Sequence, residues 1–183
     1  MDDKIFRTLN QFTGRNRFVD IFMIIISKKL RYFFAYFLVI MWFQNNFHKR
    51  ITSLAGISAI ITLLLTSVIK LVYFKPRPFS KKRVNLLAPV PSEKDSSFPS
   101  KHTTLAFAVA ISVLFYKRTF GCILSILAFL AGFSRIWMGQ HYPSDIIGSA
   151  IIGSIVAIGV NFSSNFWDPF INRVIYTYNR FFL

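Results

Sequence analysis

The sequence predicts an all-α, polytopic membrane protein, with six transmembrane helices and a short N-terminal interfacial helix in one domain over 1–183. Three observations predict this. The chain is 54% hydrophobic, with a mean hydropathy of +0.48 and 22 Phe. Its 22 Lys+Arg and 7 Asp+Glu give a formal charge of +15, and they gather in short clusters that cut the sequence into apolar blocks. Its 183 residues suit a single domain. A disordered basic tail needs low hydrophobicity, so disorder is excluded. A soluble nucleic-acid binder is rarely so apolar, and no nucleic-acid partner is expected. The single cysteine, Cys122, lies in an apolar run and can form neither an internal disulfide nor a cysteine metal cage.

The elements follow in order. In 1–17, Ile5, Phe6, Leu9 and Phe12 recur at helical spacing among Asp2, Asp3, Lys4, Arg7, Arg15 and Arg17. This reads as an amphipathic helix lying in the membrane interface. No secretory signal is evident, because the charged stretch is too long and no small-residue cleavage site follows the first apolar block. Residues 18–27 form a short first span that contains Asp20. Blocks 32–47, 51–69, 103–116, 119–134 and 146–167 are the other five spans. A helix needs about 20 apolar residues to cross hydrocarbon, so the shorter blocks need snorkelling ends or local thinning. The last block is rich in small residues, including Gly148, Ser149, Ala150 and Gly153, which let helices approach closely. A long loop from 71 to about 101 carries Lys75, Arg77, Lys81, Lys82, Arg83 and Lys94, with Pro76, Pro78, Pro89 and Pro91 among them. The aromatic, basic tail after Trp167 suits the interface.

Three stretches are too polar for their surroundings: Lys70 to Pro78, Phe98 to His102, and Ser134 to Asp145. The first two bracket the long loop and face one side. Two apolar blocks separate His102 from Arg135, so the chain returns to that same side and all three stretches can share one site. Lys70, Arg77 and Arg135 supply an ammonium and two guanidinium forks, which suit a tetrahedral oxyanion. Ser100 precedes a helix whose N-terminus favours an anion. No carboxylate pair, cysteine cluster or His/Asp/Glu grouping suits a metal, so no metal or cofactor is expected. A phosphatase without metal needs a protein nucleophile. His141 is the candidate, with Asp145 four residues on to orient it by a hydrogen bond and His102 to protonate the leaving oxygen. Each of these residues alone has a blander reading as an anchor, an interface residue or a cap. Charged groups at membrane depth are costly and usually functional, so the three stretches together point to a site. His48 falls with Lys49 and Arg50 on the opposite side, as an interface residue.

The pattern Lys70-x6-Arg77-Pro78, then Pro99-Ser100-Lys101-His102, then Ser134-Arg135-x5-His141-x3-Asp145 resembles the type 2 phosphatidic acid phosphatase (PAP2) superfamily. The motif-bearing core covers 70–145. The resemblance implies a metal-independent lipid phosphatase with a helical-bundle fold. It implies a phosphohistidine on His141, orientation by Asp145, general acid catalysis by His102, and phosphate binding by Lys70, Arg77, Ser100 and Arg135. Lys101 stands where the family usually has Gly, and is expected to add charge beside the phosphate, for a second phosphoryl group. The strings around Arg77, Pro99 and His141 narrow the resemblance to BcrC-type bacterial undecaprenyl-diphosphatases. That implies a polyprenyl diphosphate lipid substrate, carrier recycling for peptidoglycan synthesis, a link to bacitracin resistance, and a site on the extracytoplasmic face of the bacterial cytoplasmic membrane. The other readings are a phosphatidylglycerophosphate or phosphatidic acid phosphatase, and a non-catalytic lipid-binding or transport protein. A soluble haloperoxidase shares the motifs but not the apolar spans. With six spans the N-terminal cations fall opposite the site, both termini are cytoplasmic, and the positive-inside count barely separates the two sides. The loop cations are expected to draw anionic lipid headgroups.

Overall fold

A computed structural model describes residues 2–81 and 83–182, so Lys82 of the expected loop cation cluster lies outside the described residues. Among the described residues every regular element is a helix. Helix α1 (Asp2–Asn10) opens with two acids, which suit the positive end of its dipole. Gly14, at φ +85°, turns the chain, and the Asn16 side chain caps α2 (Arg17–Trp42) by accepting from the N–H groups of Phe18 and Val19. Asn45 caps α3 (Asn46–Val72) in the same way, through His48 N–H. The connection of three residues makes α2 and α3 antiparallel neighbours. The short α4 (Pro78–Lys81) begins on a proline, which is preorganised for a first turn. Then come α5 (Lys101–Leu114), α6 (Arg118–Trp137), α7 (Pro143–Phe162) and α8 (Ser164–Phe182).

The core lies around α5, which packs against α3, α6 and α7. Leu30, Ile51, Ala55, Val109, Val113, Leu124 and Ala128 are buried together there. Small residues set the α5–α7 distance: a Cβ on Gly153 would lie 2.3 Å from the Thr104 carbonyl oxygen. Polar groups link the helices inside. Ser112 Oγ donates to Ser58 Oγ at 2.9 Å, and Asn161 Nδ2 donates to Ser112 Oγ at 3.1 Å. Such pairs contribute about 0.6 kcal/mol each inside a membrane. The outward faces are apolar, with Leu64, Ile126 and Ile155 more than half exposed, as a lipid-facing surface requires.

Helices α3, α6 and α7 are long and apolar enough to cross a membrane, and α5 is a shorter apolar helix. At 1.5 Å per residue α5 is only about 21 Å long, against roughly 30 Å of hydrocarbon. Irregular backbone at membrane depth is tolerated only where protein buries it. Ser96, Ser97 and Ser100, just before α5, are buried accordingly.

Two sequence expectations change. The expected first span, 18–27, and most of the second, 32–47, lie in one continuous helix, Arg17–Trp42, so the structure does not divide there into two spans. Lys28, Lys29 and Arg31 were read as a boundary. They are good helix formers with no Gly or Pro among them, so nothing there stops a helix. The N-terminal segment also sits at the site end of the bundle. Phe6 is buried against Ile136 and Ile146, and Asn10 Nδ2 donates to the Asn85 carbonyl at 2.8 Å. At the far end, Asp168 and Asn179 of α8 pair with Arg50 and Lys49, consecutive residues at the start of α3. That lays α8 across the base of the bundle, with Ile171 and Ile175 packed on Leu54 and Val160. Helices α1 and α8 therefore lie at opposite ends of the molecule.

Candidate active site

The site forms where the C-termini of α3 and α6 meet the N-termini of α5 and α7. Lys70 lies in the last turn of α3, so its ammonium reaches into the loop beyond. Nζ donates to Asp95 Oδ1 at 2.9 Å and to the Ser96 carbonyl at 2.7 Å. Arg77 is buried. Its Nη2 donates to Asp95 Oδ2 at 2.8 Å, its Nε to the Asp95 carbonyl at 3.1 Å, and its Nη1 to the Gln140 carbonyl at 3.1 Å. Burial alone would raise the Asp95 pKa. Hydrogen bonding and charge from Lys70, then from Arg77, more than offset this and hold its carboxyl below the usual range.

Arg77 Nη1 also lies 3.1 Å from His141 Nε2. A guanidinium can only donate, so Nε2 accepts and the ring proton is assigned to Nδ1. His141 is buried in the α6–α7 turn. Burial, and then the charges of Arg135, Arg77 and Lys70, push its pKa well below the ordinary histidine value. It is thus a neutral imidazole with a lone pair directed among cations.

Asp145 sits in the first turn of α7, fully buried. Its Oδ2 accepts from Tyr142 N–H at 2.9 Å and from Ser97 Oγ at 2.5 Å, and its Oδ1 accepts from Lys75 Nζ at 2.6 Å. The expected direct bond to His141 is not made, because Nδ1 lies 3.9 Å away. Ser97 Oγ, 3.4 Å from Nδ1, stands between them. Since its hydroxyl donates to Asp145, its oxygen is left to face Nδ1–H. The carboxylate is thus linked to the ring through a serine.

Ser100 is fully buried. Its N–H is taken by Ser149 Oγ at 2.7 Å and its hydroxyl accepts from Thr103 at 3.1 Å, so it fixes α5 against α7. The N–H groups of Lys101, His102 and Thr103 then have no partner among the described residues. They form the free N-terminus expected to favour an anion. Arg135, at the end of α6, donates from Nη1 to Ser27 Oγ at 2.8 Å, while its buried Nε has no hydrogen-bond partner. His102, Lys101 and Arg135 line a cavity of about 290 Å³ between α2, α3, α5 and α6.

The structure thus brings Lys70, Arg77, His141 and Asp145 into one network, with His102, Lys101 and Arg135 on the adjoining cavity. Sequence reasoning missed Asp95 and Ser97, and read Lys75 only as loop charge. The signal for Asp95 was its sign: it is one of two acids, with Glu93, in a loop crowded with cations. Among the described residues there is no group of three or more His, Cys, Asp and Glu side chains that could hold a metal ion.

Comparison with known proteins places the chain in a family. The PAP2 superfamily model matches residues 51–167. The chain is 37% identical over 179 residues to undecaprenyl-diphosphatase BcrC of Bacillus subtilis, covering 97% of this chain and 92% of that one. It is 30% identical to a Bacillus licheniformis protein named bacitracin transport permease protein BcrC, covering 96% and 86%. The crystal structure of Aquifex aeolicus LpxE superposes with a TM-score of 0.70 at 29% identity, covering 86% of this chain and 92% of that one. A PAP2-type phosphatidylglycerolphosphate phosphatase from Bacillus subtilis gives a TM-score of 0.69 at 22% identity, covering 90% and 84%, and so speaks for the fold.

Proposed function

The chain belongs to the PAP2 superfamily, and on that premise we propose that it is a membrane lipid phosphatase hydrolysing undecaprenyl diphosphate to undecaprenyl phosphate and inorganic phosphate. The observation that carries the reading is the contact of His141 Nε2 with Arg77 at 3.1 Å. It leaves an unprotonated nitrogen beside the groups suited to hold a phosphoryl oxygen.

In the proposed reaction Lys70, Arg77, Arg135 and the first N–H groups of α5 bind the terminal phosphoryl group. As Arg77 Nη1 turns its hydrogen bond from His141 Nε2 to a phosphoryl oxygen, the freed Nε2 lone pair attacks phosphorus, and the bond from phosphorus to the bridging oxygen breaks. His102 gives that oxygen a proton. The positive charge that develops on His141 is stabilised through Ser97 by Asp145. Water, giving a proton to His102, then attacks the phosphohistidine, releasing phosphate and restoring His141. No metal or cofactor enters these steps. Placement of the site on the extracytoplasmic face of a bacterial cytoplasmic membrane, carrier recycling for peptidoglycan synthesis and a role in bacitracin resistance are part of the proposal and rest on the motif resemblance; the name of the Bacillus licheniformis relative also carries bacitracin.

The test is phosphate release by purified protein in excess EDTA, from undecaprenyl diphosphate, phosphatidylglycerophosphate and phosphatidic acid. The proposal expects the diphosphate to be preferred and His141→Ala to abolish release. Preference for either monophosphate lipid would assign it the alternative phosphatase role. No release from any of them would favour a carrier or transporter.

A further inference from the structure

We propose that Arg31, with Lys101, grips the second phosphoryl group of a diphosphate lipid, the one that stays with the chain, and so selects diphosphates over monophosphates. This rests on the phosphatase reading above.

Arg31 belongs to α2, outside the residues that match the superfamily model. It lines the 290 Å³ cavity together with Lys101, His102 and Arg135, while Leu30 and Phe34 are among the apolar side chains of the walls. A second, smaller cavity shares Arg31, His102 and Arg135 with the first. Arg31 therefore faces the region where His102 meets the leaving oxygen. Whatever is bonded to that oxygen must continue into this cavity. Its cationic end followed by apolar walls repeats the order of a prenyl diphosphate: an anionic group, then a hydrocarbon chain.

The charge of Arg31 is held but not neutralised. Its Nη2 donates to Tyr32 Oη at 2.7 Å and its guanidinium lies 4.6 Å from that ring's centroid. Among the described residues it has no carboxylate partner. Arg135 beside it likewise has none, and its buried Nε lacks any partner. Arg135 is buried, and a buried guanidinium is costly unless an anion completes it; Arg31 is exposed at the cavity mouth, with its charge free to meet an entering anion.

The chemistry gives the group a reason. When the leaving group is a phosphate monoester, negative charge builds on its nonbridging oxygens as the bridging bond breaks. Cations at that position stabilise the charge as it forms. A monophosphate lipid leaves as an alcohol, offers those cations no anion and depends on His102 alone.

The test uses farnesyl diphosphate and farnesyl monophosphate, which share one chain and one transferred group, with the full-length protein in detergent micelles. Arg31→Gln should lower kcat/KM for the diphosphate by about 10- to 100-fold, the loss expected for one charge-assisted contact. It should leave the monophosphate rate within about threefold, a change small enough to be ordinary for a surface substitution. Arg31→Lys should recover part of the diphosphate rate. Equal losses on both substrates, or no loss on either, would overturn the assignment. If the unmodified protein does not prefer the diphosphate, the diphosphatase reading fails instead, so the two failures are separable.

Discussion

Replacing Asp95 with Asn should make the protein bind inorganic phosphate more tightly. In the structure Asp95 pairs with Lys70 at 2.9 Å and with Arg77 at 2.8 Å, two of the three cations assigned to the phosphoryl group. A phosphate entering the site must displace this carboxylate before those donors are free. Asp95 is 45% exposed, so water screens both pairs and each contributes about 0.5–1 kcal/mol rather than the larger value of a buried pair. Removing the competition thus favours phosphate by about 1–2 kcal/mol, or roughly 5- to 30-fold in the inhibition constant. Its carboxyl titrates below the usual carboxylate range, so it stays ionised and competing at every pH where the enzyme would be assayed. The assay is product inhibition by inorganic phosphate, with the unmodified protein and the Asn variant compared at one pH and ionic strength. An unchanged or weaker phosphate affinity would refute the reasoning, since Asp95 would then be positioning the two cations rather than competing for them.

Three other outcomes are expected. Burial and neighbouring cations hold His141 neutral, so protonation should switch off the free enzyme's nucleophile only well below pH 6.5; an acid limb of kcat/KM at or above about 6.5 would contradict this. Gly153→Ala places a methyl group 2.3 Å from the Thr104 carbonyl and must spread α5 from α7; the melting temperature should fall, as for about 1–3 kcal/mol of overpacking, and an unchanged value would mean the contact relaxes freely. Because α1 lies at the site end and α8 at the far end, reporters fused to the two termini should report opposite sides of the membrane. If the site faces outward, the C-terminal reporter is cytoplasmic. The cation-rich site end would then run against the positive-inside tendency, with Lys70, Arg77 and Arg135 accounting for part of the excess.

The convergence of the site was legible in the sequence because it depends on parity. Two apolar blocks between His102 and Arg135 return the chain to one side, however the first helix is divided. Lys70, Arg77, His141 and Asp145, which the structure brings together, stood out as charge placed where a membrane protein tolerates little of it. The division of α2 was not legible. Lys28, Lys29 and Arg31 interrupt hydrophobicity without interrupting helix propensity, and hydropathy alone cannot separate those two effects. Asp95 and Ser97 were not legible either. Asp95 meets Lys70 and Arg77 across 25 and 18 residues, and Ser97 meets Asp145 across 48, by a loop fold with no periodic signal. Arg31 was read only as one of the cations between two apolar blocks, because its role depends on which cavity α2 borders.

The central claim is that His141 forms a covalent bond to phosphorus. It is tested most directly by mixing the protein with undecaprenyl diphosphate labelled in its terminal phosphorus, quenching in alkali and locating the label by peptide mapping. The account predicts alkali-stable, acid-labile label on His141, lost in His141→Asn together with turnover. Turnover that persists in His141→Asn, with no label on the protein, would contradict it.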